Sequence, residues 1–513
     1  MFEPVRLTSS FLSSRLIGAA ALALALLCAA PAHAANVRWD GGGADGQWSN
    51  PLNWKNDAVP GSGDSVAFPA NYVTAPLAVN LSAPVTVGAL TLATSSPVSF
   101  TGATITVNKR IVVNFGSHSI ANAIDGKNGS DLLIIVGTGS SLALSGAISV
   151  SNNKILALTR DGAVTMSGAL SGTGVQLVVG GAGSLTLSGA STYTGSTSIN
   201  GGTVMVVANA PVLAAGPFGD AASAINIGNI VTAANISIHA ANGVTIGRPV
   251  TVSANATGSV TVGAASGAVS FAGAITLERG ATLSAPAGAT ATFSGAISGA
   301  GFGVTKSGAG TGALDNALNT YTGATTVAAG VLLANGATQA TGTAVSTVTV
   351  ASGATLGGAG RIAGTVSVAA GGTLAPGNAS GIGTLTVNGD VTVPAGAILR
   401  VHLNGATPSQ SGKLAVTAGT VSLAGNLVVN LSPASVFSTG WTILDKGAAG
   451  AISGTFAGKP EGAAFAANGR GLQITYVAEP TATTSCSLIS DRPPTRKSSA
   501  CPPPSAPRAA ATA

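Results

Sequence analysis

The sequence predicts an all-β solenoid of the β-helix kind, and three observations carry that prediction. From residue 76 onward, Val, Leu and Ile alternate with Thr, Ser and Gly, as in "VTVGALTLA" and "SLTLSGA". Period two marks half-buried strands. This strand-and-turn text runs almost uniformly to about Ala478, well beyond the span of an ordinary antiparallel sandwich. Finally, the phrase "TYTGSTSINGGTVMV" from Thr192 returns as "TYTGATTVAAGVLLA" from Thr320. It holds no charge, no His and no Cys, so it suits a repeated structural unit better than a reaction.

Four zones follow one another. Residues 1–34 read as a signal peptide: Arg6 and Arg15 precede "LIGAAALALALLCAA", and small residues at Ala32 and Ala34 place the cleavage after Ala34. Cys28 follows Leu27, which is bulkier than a lipid-attachment site prefers. Residues 35–75 hold Trp39, Trp48 and Trp54 and read as an N-terminal cap, whose rings shield the first apolar coil. Residues 76–478 form the β-helix. Residues 479–513 turn abruptly to Pro, Ser and Arg and read as a disordered tail. There Cys486 and Cys501 are free to pair in an oxidising compartment, yet they cannot staple the body.

Composition fits a coil. Each turn requires φ > 0, hence 72 glycines; a narrow interior excludes aromatics, which make up 4% of the chain. One coil buries too few side chains to offset the ordering of its own backbone, so coils must stack. With roughly 20–25 residues per coil, the body is expected to hold about 18–22 coils, in a rod on the order of 100 Å long. No later stretch of about 18 apolar residues offers a transmembrane helix. Of 22 Lys and Arg, two lie in residues 1–34 and four after residue 480, as do Glu3 and Asp491 among the 16 acids. Residues 35–480 keep 16 basic and 14 acidic residues, a net +2 without interleaved aromatics, which is no nucleic-acid footprint.

Few residues compete for a chemical role. Asp40, Asp45, Asp57 and Asp64 cluster in the Trp-rich zone, but beside Gly and Pro they read as turn and cap residues, not a calcium site. His118, His239 and His402 stand over a hundred residues apart, several coils from one another. Asp125, Lys127 and Asp131 form one charged group, and Lys154, Arg160 and Asp161 another. Polysaccharide-active β-helices line a groove with such groups, whereas charges beside Gly turns ordinarily solvate the turn. Tyr193 and Tyr321 occupy equivalent repeat positions and read as outward aromatics with a structural role. No residue is nominated as catalytic, cofactor-binding or metal-ligating, and no cofactor is expected.

With those residues in view, the chain resembles proteins with autotransporter-associated β-strand repeats, a passenger-type family. The resemblance lies in "SGTGVQLVVGGAGSLTLSGASTYTGSTSINGGTVMV" from Ser171 and "SGAGFGVTKSGAGTGALDNALNTYTGATTVAAGVLLA" from Ser298, the second with an extra residue before Tyr321. "WDGGGADGQWSNPLNW" resembles the family's usual start, and "GTFAGKPEGAAFAANGRGLQITY", near the end of the body, is similar to the segment that follows such repeats. The resemblance implies a right-handed parallel β-helix, export through the inner membrane, and no catalytic residues. It leads us to expect a secreted or surface scaffold for display, adhesion or matrix contact, touching glycans, neighbouring or host cells, or matrix. The alternatives are a polysaccharide-active β-helix enzyme and a truncated passenger without display function, periplasmic if its display module is missing. Neither amphipathic barrel strands nor a sorting helix follows the body, and the shift near Glu479 raises the expectation of a changed reading frame.

Overall fold

The computed structural model describes residues 35–126, 129–378, 380–404, 410–432, 440–447, 452–476 and 484–490. The expected signal peptide, Lys127 and Cys501 lie outside the described residues. Short strands alternate inward and outward side chains, as in Leu132–Val136 and Ile398–Leu403. The inward Val, Leu and Ile of successive coils join the apolar cluster that fills the interior. Helical structure is scarce among the described residues: the 3-10 turn Pro51–Asn53 and the single residue Gln410. No helix among the described residues is long and apolar enough to cross a membrane.

The chain is a parallel β-solenoid. Its longest ladder holds seventeen strands, from Leu77–Leu81 to Ile452–Gly454, and every pairing along it is parallel. A second ladder runs from Asn36–Arg38 to Ile297–Ser298, and a third from Thr245–Ile246 to Asn426–Leu431. From Arg361–Ile362 onward, Gly383–Val387, Gly412–Val416 and Trp441–Lys446 take the place in the coil order that the second ladder holds earlier. Each later coil therefore has three sides.

Coil length varies from 18 residues, Thr349 to Ser367, to 34 residues, Thr203 to Ser237. Two further coils, Thr392 to Ser422 and Ser422 to Ser453, take 30 and 31 residues. These long corners use up sequence without adding a rung. The ladder accordingly counts seventeen strands, below the 18–22 coils that a uniform period predicts.

Both ends cover the open strand edge. At the start, Trp54 meets Trp39 at 5.0 Å and Trp48 at 4.7 Å between ring centroids, both edge-on, and Trp39 stacks on Phe68 at 5.4 Å. The Trp54 indole N–H donates to Trp48 O at 2.7 Å. Edge-on and offset aromatic contacts of this kind add to plain area burial. At the far end, Trp441–Lys446 pairs antiparallel with Thr484–Ser490, then Arg470–Thr475 and Ala464–Ala467 follow. Thr484–Ser490 lies inside the segment expected to be disordered. Its "TSCSLIS" alternates like the strands before it, and Cys486 and Leu488 are buried. Cys486 is a free thiol whose pKa burial pushes up to about 12, so it stays protonated and inert at neutral pH.

Candidate functional site

The repeated phrase builds one corner of a coil, bond for bond, in both copies. The N–H of Thr192 donates to Leu170 O at 2.9 Å, and that of Thr320 to Ile297 O at 2.8 Å. One residue earlier, Ser191 Oγ accepts from Leu170 N at 3.0 Å and Asn319 Oδ1 from Ile297 N at 2.8 Å. The hydroxyls of Thr194 and Thr322 accept from Gly174 N and Gly301 N at 2.7 and 2.6 Å. The next residue must be glycine. A Cβ on Gly195 would stand 2.2 Å from Val175 O, and one on Gly323 2.3 Å from Phe302 C.

Tyr193 and Tyr321 turn inward, which corrects the outward reading: both are 0% exposed. Each phenol lies 2.6 Å from the hydroxyl of the Thr four residues on, Thr197 or Thr325. Burial pushes both phenols well above their ordinary pKa, so neither ionises in the folded chain. The following coil seals the ring with Gly219 or Gly342, at φ +74° and +85°. A side chain there would be strained and would collide with the tyrosine's own carbonyl.

Four cations are buried among the described residues, Arg160, Arg248, Lys306 and Lys446, and all donate to backbone carbonyls, Lys446 to Gly447 O at 3.5 Å. Arg160 reaches Gly180 O at 2.8 Å, Thr203 O at 3.1 Å and Gly201 O at 3.5 Å. Arg248 reaches Phe218 O at 2.5 Å and Ser223 O at 2.6 Å, fastening the extra loop of the 34-residue coil. Lys306 Nζ reaches Ser307 O and Gly308 O, each at 2.8 Å, and Ala329 O at 3.2 Å. Burial lowers Arg160 to about 10 and Lys306 to about 8. Backbone carbonyls left bare at such corners would carry a full desolvation penalty. Nothing in the sequence pattern marked Arg248 as interior. The signal was available only in Lys306's place at an inward step of its strand.

The aspartates singled out from sequence are spent on turns and on donors of neighbouring coils. Asp45 accepts from Gln47 N, Asn50 Nδ2 and Asn53 Nδ2 at 3.0, 2.8 and 2.6 Å, which hold its carboxyl below the usual range. Asp64 accepts from Ala35 N and Gly61 N, each at 2.8 Å, Asp40 accepts from Gly42 N at 3.4 Å, and Asp57 occupies a left-handed turn position. Asp131 and Asp161 each accept an N–H from the next coil, Ile155 at 2.9 Å and Ala182 at 3.0 Å. Asp125 accepts from Ser149 Oγ at 3.3 Å. Arg160 therefore points into the solenoid, away from any groove beside Lys154 and Asp161.

The histidines lie in separate settings. His118 Nδ1 accepts from Val98 N at 3.1 Å while Nε2 donates to Phe115 O at 2.6 Å, and burial lowers its pKa. Burial also lowers His239, whose Nδ1 is enclosed without a partner. His402 sits on the third ladder beside Arg400; burial first, then that guanidinium, lowers its pKa. Among the described residues no three His, Cys, Asp or Glu stand together as a metal cluster. An open cleft of about 520 Å³ lies where Gln339, Thr343, Arg361 and Asn388 meet. Two of its amides are already engaged: Gln339 donates to Gly342 O at 3.2 Å, and Asn388 accepts from Thr417 Oγ1 at 2.9 Å.

The family model described as the passenger-associated-transport-repeat matches residues 177–206 and 304–334, the two coils whose corners are described above. No curated protein matches the chain. Two such repeats on stacked parallel coils support an autotransporter-passenger-type β-helix repeat protein.

Proposed function

We propose that the chain is an exported, non-enzymatic scaffold whose lateral faces make many weak contacts with glycans, cell surfaces or matrix. The observation that carries this reading is where the chemistry-bearing side chains are spent. Buried cations clasp backbone carbonyls, and the aspartates singled out accept turn and inter-coil donors, while outward ladders present Thr and Ser over many coils. Passenger-associated-transport repeats on the same coils support export. A long ordered face gains avidity by repetition instead of by one deep pocket.

The test uses the full chain coupled to beads. We expect retention on polysaccharide- or matrix-coated surfaces that rises steeply with bead loading, and no release of reducing ends from acidic or neutral polysaccharides. Turnover of a polysaccharide would overturn the non-enzymatic reading. Absence of retention on every such surface would overturn the contact reading.

A further inference from the structure

Outward positions on the third ladder mostly carry Thr or another small residue, and one column of them leaves a gap. In register across successive coils it reads Ala313, Leu333, Gly357 and Ala375. Arg400 follows on Ile398–Leu403, the next strand of that ladder. Gly357 and Ala375 project almost nothing, so the surface is indented over two coils between Leu333 and Arg400. The indentation is a recess of about 200 Å³.

The chain after Thr373–Pro376 walls one side. Gly358 and Gly377 exchange N–H···O bonds at 2.7 and 2.8 Å, which fixes where that connection leaves the sheet. It then brings Asn378 and Gly381 against His402; a Cβ on Gly381 would fall 2.4 Å from the imidazole. Arg400 and His402 are two residues apart on one strand and share its outer side. Arg400 has no hydrogen-bond or ion-pair partner among the described residues, and no acid lines the recess.

We propose that this recess binds one acidic sugar residue, its carboxylate paired with Arg400, its hydroxyls met by the Asn378 amide N–H and one His402 nitrogen, and its apolar ring face laid on Val331, Leu333 and Ala375. Asn378 Oδ1 is taken by Ser380 N and Ile382 N, and the His402 nitrogen in question is the one that Asn430 leaves over. Three features choose that ligand. A free guanidinium without a neighbouring acid is complementary to a planar carboxylate, which it can grip with two N–H donors. The aliphatic floor gains nothing from a small inorganic anion but does gain from a ring face. The volume lies below the roughly 300–1,000 Å³ of clefts that take drug-sized ligands, so one ring fills it. The biological use of such a site rests on the contact reading above; its chemistry does not.

The experiment titrates the full chain with galacturonate, galactose and acetate by calorimetry, and scores bead adhesion of the same samples. Galacturonate should saturate, with galactose and acetate at least about tenfold weaker, since the pair and the ring face act together. Arg400→Gln should weaken galacturonate by about tenfold or more, and Ala375→Leu should block it by filling the floor, while Arg361→Gln in the separate cleft leaves it unchanged. Unaltered circular dichroism and melting keep a folding defect from imitating the loss. Acetate binding as tightly as galacturonate, galactose binding equally, or indifference to Arg400→Gln would each overturn the proposal. No galacturonate binding by a chain that still adheres overturns the recess and spares the contact reading. Binding by a chain that adheres nowhere supports the recess and overturns that reading.

Discussion

The two repeats are the same coil set on different faces. In the first, Leu177–Val179 pairs with Thr197–Ile199 on the second ladder, and Ser184–Leu187 follows on the longest ladder. In the second copy, Val304–Lys306 pairs with Thr325–Val327 on the longest ladder, and Thr311–Leu314 follows on the third. The unit has moved round by one side, yet its corner bonds survive unchanged. What differs is the source of the buried cation. Lys306 stands where the first copy has Val179, and it caps Ser307 O and Ala329 O. The matching carbonyls in the first copy, Gly180 O and Gly201 O, take their donors from Arg160, one coil earlier. The requirement thus belongs to the carbonyls, and either coil can meet it.

The most severe way to test the equivalence is at the packed glycines. Gly195→Val and Gly323→Val each drive a side chain into backbone, and each should cost more than about 4 kcal/mol of local stability. Hydrogen exchange at Thr197–Ile199 and Thr325–Val327 reads the loss, because neighbouring coils open separately in a solenoid. A large loss in one copy alone would break the comparison.

The cation exchange gives a sharper test of intermediate size. Arg160→Met strips donors from Gly180 O and Gly201 O and should cost about 2–4 kcal/mol. Val179→Lys on its own adds a second buried cation and should also destabilise. Together they should recover most of the loss, as a favourable coupling in a double-mutant cycle followed by urea unfolding. Additive losses would mean that the two cations do different jobs.

The smallest expected effect is on pH. Lys306 titrates near 8 in the folded chain, against 10.5 for an ordinary lysine. Between those values the unfolded chain holds the extra proton, so stability rises as pH climbs from about 8 to 10.5. Urea unfolding at the two ends of this window should show the rise in the wild type and a smaller one in Lys306→Met. Arg160, lowered to about 10, is common to both chains and cancels in the difference. An identical pH response in the two would place the Lys306 ammonium in water.

Much of this was legible beforehand, for physical reasons that also explain the rest. Alternation revealed the strands because burial on one face has period two, and the twice-written phrase revealed the coil. The three Trp pointed to the start of the chain, where their rings meet edge-on, whereas Phe271, Phe293 and Trp441, buried further along, show that the interior does not exclude aromatics. The tyrosines misled because inwardness at a corner depends on chain direction, which alternation does not report. Only the Thr four residues later, at Thr197 and Thr325, hinted at a buried partner. The tail strand Thr484–Ser490 was hidden by the Pro-rich composition around it. The recess draws residues from coils spread between Thr311 and His402, so it exists only once the register is known.

That the same coil is at home on more than one side has a mechanical consequence. Removing a whole coil would shorten the rod by about one strand spacing, 4.8 Å, and leave every downstream face with its bearing. Adding a single side would instead swing everything beyond it through about a third of a circle. The 34-residue coil does neither: it loops its surplus outward and returns in phase. Corner loops can therefore grow or shrink at little cost to the alignment of distant faces, while the azimuth of the Arg400 recess relative to the Trp cap is set by the number of sides between them.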